Sequence, residues 1–170
     1  MMHVVITVLL SLIMMAGLFL MLLSGVGFIQ DKRFFSSAPK EVREVVPDSK
    51  PERFRGQHII GWIMALFSIV LMIGAVLTGA IVGVNERMTF AQLFIRFIVM
   101  FFSLKAFDIG FFDWVLLCNA GYNFFPGYYP ETKKVLGHYL FGYNWKTHLA
   151  HVIASFPAAA LIAWICTFFT

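Results

Sequence analysis

Four apolar runs, each long enough to cross a bilayer, constrain this chain more than any other feature. A helix needs roughly 20 apolar residues to traverse a hydrocarbon core about 30 Å thick. Val4 to Ile29 and Ile59 to Val84 carry no charged residue. Phe90 to Cys118 is interrupted by Arg96, Lys105, Asp108 and Asp113, and Leu149 to Thr170 is uncharged from Val152 onward. A membrane strand needs only about 10 residues of alternating polarity, and these runs do not alternate. The sequence therefore predicts an all-α integral membrane protein, a single domain over 1–170 with transmembrane helices at about 4–29, 59–84, 90–118 and 148–169.

Composition supports the bilayer as solvent. The chain is 60% apolar and 13% charged, against roughly half and a quarter in soluble domains, and its mean hydropathy is +0.82. A disordered chain, a nucleic-acid-binding tail and a disulfide-stapled secreted domain are excluded. Lipid is the expected partner and nucleic acid is not. The first run lacks the basic n-region of a cleavable signal peptide, so it is expected to persist as a helix. With no transit-type leader, the bacterial cytoplasmic membrane is the expected location.

Lys and Arg placement sets the expected orientation. The segment Gln30 to Gly56 carries seven, Asn119 to Thr147 carries Lys133, Lys134 and Lys146, and the turn near Arg87 carries one. Loops 30–56 and 119–147 are thus expected to be cytoplasmic, with both termini outside (N-out, C-out). Cys118 and Cys166 fall at opposite ends of the bundle, about 30 Å apart, which excludes an intrachain disulfide. There is no C-x-x-C.

The two loops differ in kind. Residues 30–56 hold seven bases, five acids and three prolines, which reads as a solvated connector. Residues 119–147 are dense in aromatics, Gly and Pro. That composition predicts an ordered cap against the inner membrane face, because Tyr and Trp favour the headgroup level. On helix 2, Ala75, Gly79 and Gly83 recur at spacings of four. They serve close packing within the chain or the seam of a homo-oligomer. Pro157 is expected to kink helix 4.

Charges in the third span are the chemical signal, since each costs roughly 2.5–3.5 kcal/mol on insertion scales. At about 100° per residue, Asp108 lies about 60° from Lys105 and Asp113 about 80° on its other side, all on one broad face. Arg96 points oppositely, to snorkel or to bond another helix. A ligand or proton site is therefore expected at Lys105, Asp108, Asp113 and the adjacent Trp114. Helix 4 opens with His148 and His151 on one face, and His138 and Glu131 lie in the preceding loop. Such a His and carboxylate set could hold a divalent metal or pass protons. His3 and His58 lie at segment ends, with no role assigned.

The stretch Phe-Asp-Ile-Gly-Phe-Phe-Asp-Trp (107–114), followed by Pro-Glu-Thr (130–132) and Phe-Gly-Tyr (141–143), resembles a pattern in small, functionally uncharacterised bacterial four-helix membrane proteins. The resemblance covers about the last third of the chain. It implies no activity, and fits with Asp108, Asp113, Trp114 and Glu131 belonging to one site.

Three classes of function compete. A membrane binding or transport component would use the helix 3 charges, although helices 1 and 2 offer only Thr7, Ser11, Ser24, Ser68 and Thr78 to line a route. A non-catalytic assembly subunit would bury that polar face against another chain. A membrane-embedded enzyme, with or without a metal, would act on a lipophilic substrate. No recognisable nucleophile, phosphate loop or dinucleotide fingerprint supports the last.

Overall fold

The computed structural model describes residues 2–36, 38–118, 124–137 and 144–169. Helix α1 (Met2–Leu23) runs on through a π-helical turn at Ser24–Ile29. A 3₁₀ turn (Lys32–Phe35) and the short α2 (Lys40–Val45) follow. Then come α3 (Gln57–Asn85) and α4 (Phe90–Phe107), the latter widening into a π-helical segment, Asp108–Cys118. The short α5 (Phe124–Tyr128), a 3₁₀ turn (Pro130–Lys134) and α6 (Trp145–Cys166) complete the chain. Four helices, Met2–Ile29, Gln57–Asn85, Phe90–Cys118 and Trp145–Cys166, are long and apolar enough to cross a membrane. Among the described residues there is no strand, only an isolated bridge between Asp31 and Ser49.

These helices bury only 17–28% of their most apolar stretch. Side chains such as Ile59, Ile63, Leu66 and Leu161 stand out from the bundle. That much exposed apolar surface suits lipid and not water.

In lipid, helices associate through close packing and interhelical hydrogen bonds, not through a hydrophobic drive. The α1–α3 contact is built that way. Ser68 Oγ donates to the Gly17 carbonyl (2.6 Å) and Ser24 Oγ to the Gly61 carbonyl (2.9 Å). A Cβ on Gly61 would lie 2.7 Å from the Ile29 side chain and 3.0 Å from its backbone nitrogen. The Ala75, Gly79 and Gly83 stripe is likewise consumed within the chain. Ala75 joins the core around Leu10, Phe97 and Met100, and a Cβ on Gly83 would collide with Leu93 of α4. The turn into α4 is fixed by a capping box: Thr89 Oγ1 accepts from the Gln92 N–H, and Gln92 Oε1 accepts from the Thr89 N–H.

One end of the bundle carries the N-terminus, the α3–α4 turn and the C-terminus of α6; the other carries both long loops. Residues 30–56, expected to be a solvated connector, instead fold as a cap on the loop end. Phe35, Val42 and Val46 are buried with Phe125, Tyr129 and Leu136 in a second core. Phe35 meets the Tyr129 ring edge-on at 4.9 Å. Buried Gln57 donates to the Phe28 carbonyl and to Gln30, while Arg53 donates to the Gly27 carbonyl. These bonds tie the cap to the α1 terminus, where Gln30 takes a left-handed backbone (φ 55°). The described part of the aromatic loop, 124–137, packs on this core.

Charged groups of the cap reinforce it. Arg33 holds the Asp31 carboxyl below its ordinary range, through its side chain and then its backbone N–H. The backbone N–H groups of His58 and Gly56 do the same for Glu52. Glu131 is lowered by its own backbone N–H, with Lys50 adding to the effect. Burial pushes the Tyr129 phenol upward, so it stays neutral.

Candidate functional site

Lys105, Asp108 and His151 come together, and Asp113 meets His148, in an arrangement that the 100° wheel does not give. Lys105 lies in the last turn of α4, and its Nζ donates to Asp108 Oδ2 at 2.5 Å. Both side chains are partly shielded, at 12% and 27% exposed. The same Nζ stands 3.1 Å from His151 Nδ1 on α6. An ammonium can only donate, so Nδ1 is the acceptor in this contact. Asp113 meets the other histidine of α6. Its Oδ2 lies 2.5 Å from His148 Nε2, and both side chains are 12% exposed. From Asp108 the backbone adopts i→i+5 bonding, which spreads successive side chains differently from an α-helix. The π-helical segment therefore divides the acids between two histidines: Asp108 on the Lys105–His151 side, Asp113 on His148. Nothing in the residue order signals that change of winding.

The Lys105–Asp108–His151 group opens on a groove of about 430 Å³ between α4 and α6, with Leu18 of α1 at its wall. Phe101, Leu104, Ala154 and Ala158 give the groove an apolar surface. His151 also lines a second, polar pocket of about 500 Å³ on the loop side, with Lys40, Arg43, Asn144 and Thr147. One imidazole thus separates a basic vestibule from an apolar groove. The sequence placed His151 at the helix boundary but gave no hint of Lys40 and Arg43, because α2 reads as part of a connector.

Other expected members lie elsewhere. Trp114 is 62% exposed, on the outer surface of the span. Glu131 sits in the Pro130–Lys134 turn and pairs with Lys50 at 3.1 Å. His138 lies outside the described residues. Among the described residues, no three His, Cys, Asp or Glu side chains come together as a metal site.

The terminal end holds an ionic cluster that sequence reasoning missed. Arg96 does bond to another helix, with Nη1 donating to the Gly79 carbonyl of α3 at 2.8 Å. Its side chain is 1% exposed. Glu86 Oε2 approaches Arg96 Nη2 at 3.7 Å and His3 Nδ1 at 2.6 Å. The usable signal was Glu86, the acid at the α3–α4 turn, at the same end of the bundle as His3.

Comparison with known proteins returns no matching family model, no matching curated protein and no matching solved structure.

Proposed function

We propose that this chain is a membrane binding component whose site, at the loop-end half of α4 and α6, takes an anionic single-chain amphiphile. The acyl chain occupies the groove along Phe101, Leu104, Ala154 and Ala158, and the head lies at His151. The observation that carries this reading is the shared imidazole. His151 borders both the apolar groove and the polar pocket, and that is the division of an amphiphile. Lys40, Arg43 and Lys105 face the head region, against Asp108 and the exposed Glu44 paired with Lys40, leaving an excess of positive charge for an anion. The volumes fall within the roughly 300–1,000 Å³ of small-molecule sites.

Binding is favoured over conduction by the other helices. Thr7, Ser11, Ser24 and Ser68 donate their hydroxyls to backbone carbonyls, and Thr78 is exposed. None of the five lines the groove or the polar pocket at His151. The reading includes a bacterial cytoplasmic membrane, with loops 30–56 and 119–147 on its inner side, which places the basic vestibule at the inner headgroup level.

Titration of the detergent-purified chain with a monoacyl phosphate, followed by calorimetry, tests the proposal. Saturable binding is expected, abolished by Ala158→Trp and weakened about tenfold or more in Lys40→Ala/Arg43→Ala, since charge-assisted contacts are each worth more than 1 kcal/mol. Binding that ignores both variants contradicts it.

A further inference from the structure

The Arg96 cluster is separate from the groove and carries chemistry of its own. A guanidinium has two faces for recognition: its end, and the side-on edge formed by Nε and Nη2. In Arg96 the remaining nitrogen, Nη1, is bound to the Gly79 carbonyl. Nε and Nη2, both buried, have no hydrogen-bond partner among the described residues. Glu86 does not fill that edge. Its Oε2 pairs ionically with His3 Nδ1 at 2.6 Å and with Nη2 at 3.7 Å, the latter beyond hydrogen-bond length, and is itself buried without a hydrogen-bond partner among the described residues.

Unmade donors on a buried cation are expensive, and more so at membrane depth. Arg96 lines a cavity of about 240 Å³ walled by Val4, Val8, Ile95 and Val99, with His3, Thr7 and Gln92 at its polar side, and its Nε–Nη2 edge is itself buried. From this we infer that the terminal end holds a second binding site, specific for a long-chain carboxylate. The planar carboxylate meets the Nε–Nη2 edge with two parallel hydrogen bonds, the geometry in which arginine exceeds lysine. The first methylenes lie against Val4, Val8, Ile95 and Val99. The cavity is smaller than a whole amphiphile, so the rest of the chain continues into lipid. Glu86 adds one negative charge beside the site. Arg96 offsets it, and His3 adds a second positive charge when protonated.

The test uses the full chain in lipid nanodiscs and a photoactivatable long-chain fatty acid with its reactive group near the carboxyl, cross-links being mapped by mass spectrometry. Saturable labelling of 4–8 and 95–99 is expected, competed by oleate and not by methyl oleate. Arg96→Lys keeps the charge and loses the fork, and should cut that labelling about tenfold or more. Ile95→Trp fills the cavity without touching a charge and should remove it, which keeps the test decisive if Arg96→Lys does not fold. Equal labelling by an ester probe, unchanged labelling in Ile95→Trp, or the absence of saturation would leave Arg96 a packing residue and overturn the inference. Equal competition by a monoacyl phosphate would overturn the carboxylate assignment.

Discussion

The two ionic sites of this bundle solve the same problem in opposite ways. At the terminal end, Arg96 is 1% exposed, bonded to one carbonyl and only loosely approached by its acid. At the loop end, Lys105 has its acid one turn away at 2.5 Å and a histidine at 3.1 Å, and the group borders a groove. The first is a deeply buried cation with donors to spare. The second is nearly self-neutralised and accessible. The contrast teaches that depth and pairing set what a membrane charge can do. A closed, under-satisfied arginine suits one specific anion, and an open, balanced group suits a headgroup.

If that contrast is right, the two cations should differ most when removed. Arg96→Met removes the bond to the Gly79 carbonyl and leaves Glu86 with His3 alone, and should cost about 3–5 kcal/mol. Lys105→Met leaves a partly exposed Asp108 and should cost roughly 1–3 kcal/mol. Thermal unfolding in one detergent compares them, and equal losses would erase the distinction.

A finer test concerns the π-helical segment. Because it hands Asp113 to His148, a double-mutant cycle on Asp113→Asn and His148→Gln should show coupling of about 0.5–3 kcal/mol. The cycle pairing Asp113→Asn with Lys105→Met should show little. The reverse order would restore the plain α-helical wheel.

The smallest effect is expected in the cap. Asp31, Glu52 and Glu131 all have lowered carboxyl pKa values. Their contribution is therefore complete above the ordinary carboxylate range near pH 4 and is lost as pH falls through the lower folded values. Protection factors of the 30–56 amides, taken relative to the unstructured rate at each pH, should stay high at neutral pH and fall below about pH 4. The amides around Arg96, which depend on none of these carboxylates, should not follow.

The spans were legible because lipid imposes length and apolarity on any helix that crosses it. The helix 3 charges were legible for the same reason, as the residues lipid tolerates least. Their partners were not. Sequence spacing follows only local winding, and the winding changes at Asp108. The cap was misread because charge dominates 30–56, whereas Phe35, Val42 and Val46, which decide its packing, are few and scattered. His3 looked idle because its partner, Glu86, is distant in the chain. Ser24 and Ser68, read as part of a poor channel lining, hold the first span to α3. Small polar residues look alike in sequence whether they face a pore or a carbonyl.

The most direct test of the groove is native mass spectrometry of the chain released gently from its own membrane, beside Ala158→Trp prepared in parallel. The account predicts a stoichiometric anionic single-chain adduct on the unmodified protein, absent from the variant, with annular lipid alike in both. Identical spectra, adduct included, would contradict it.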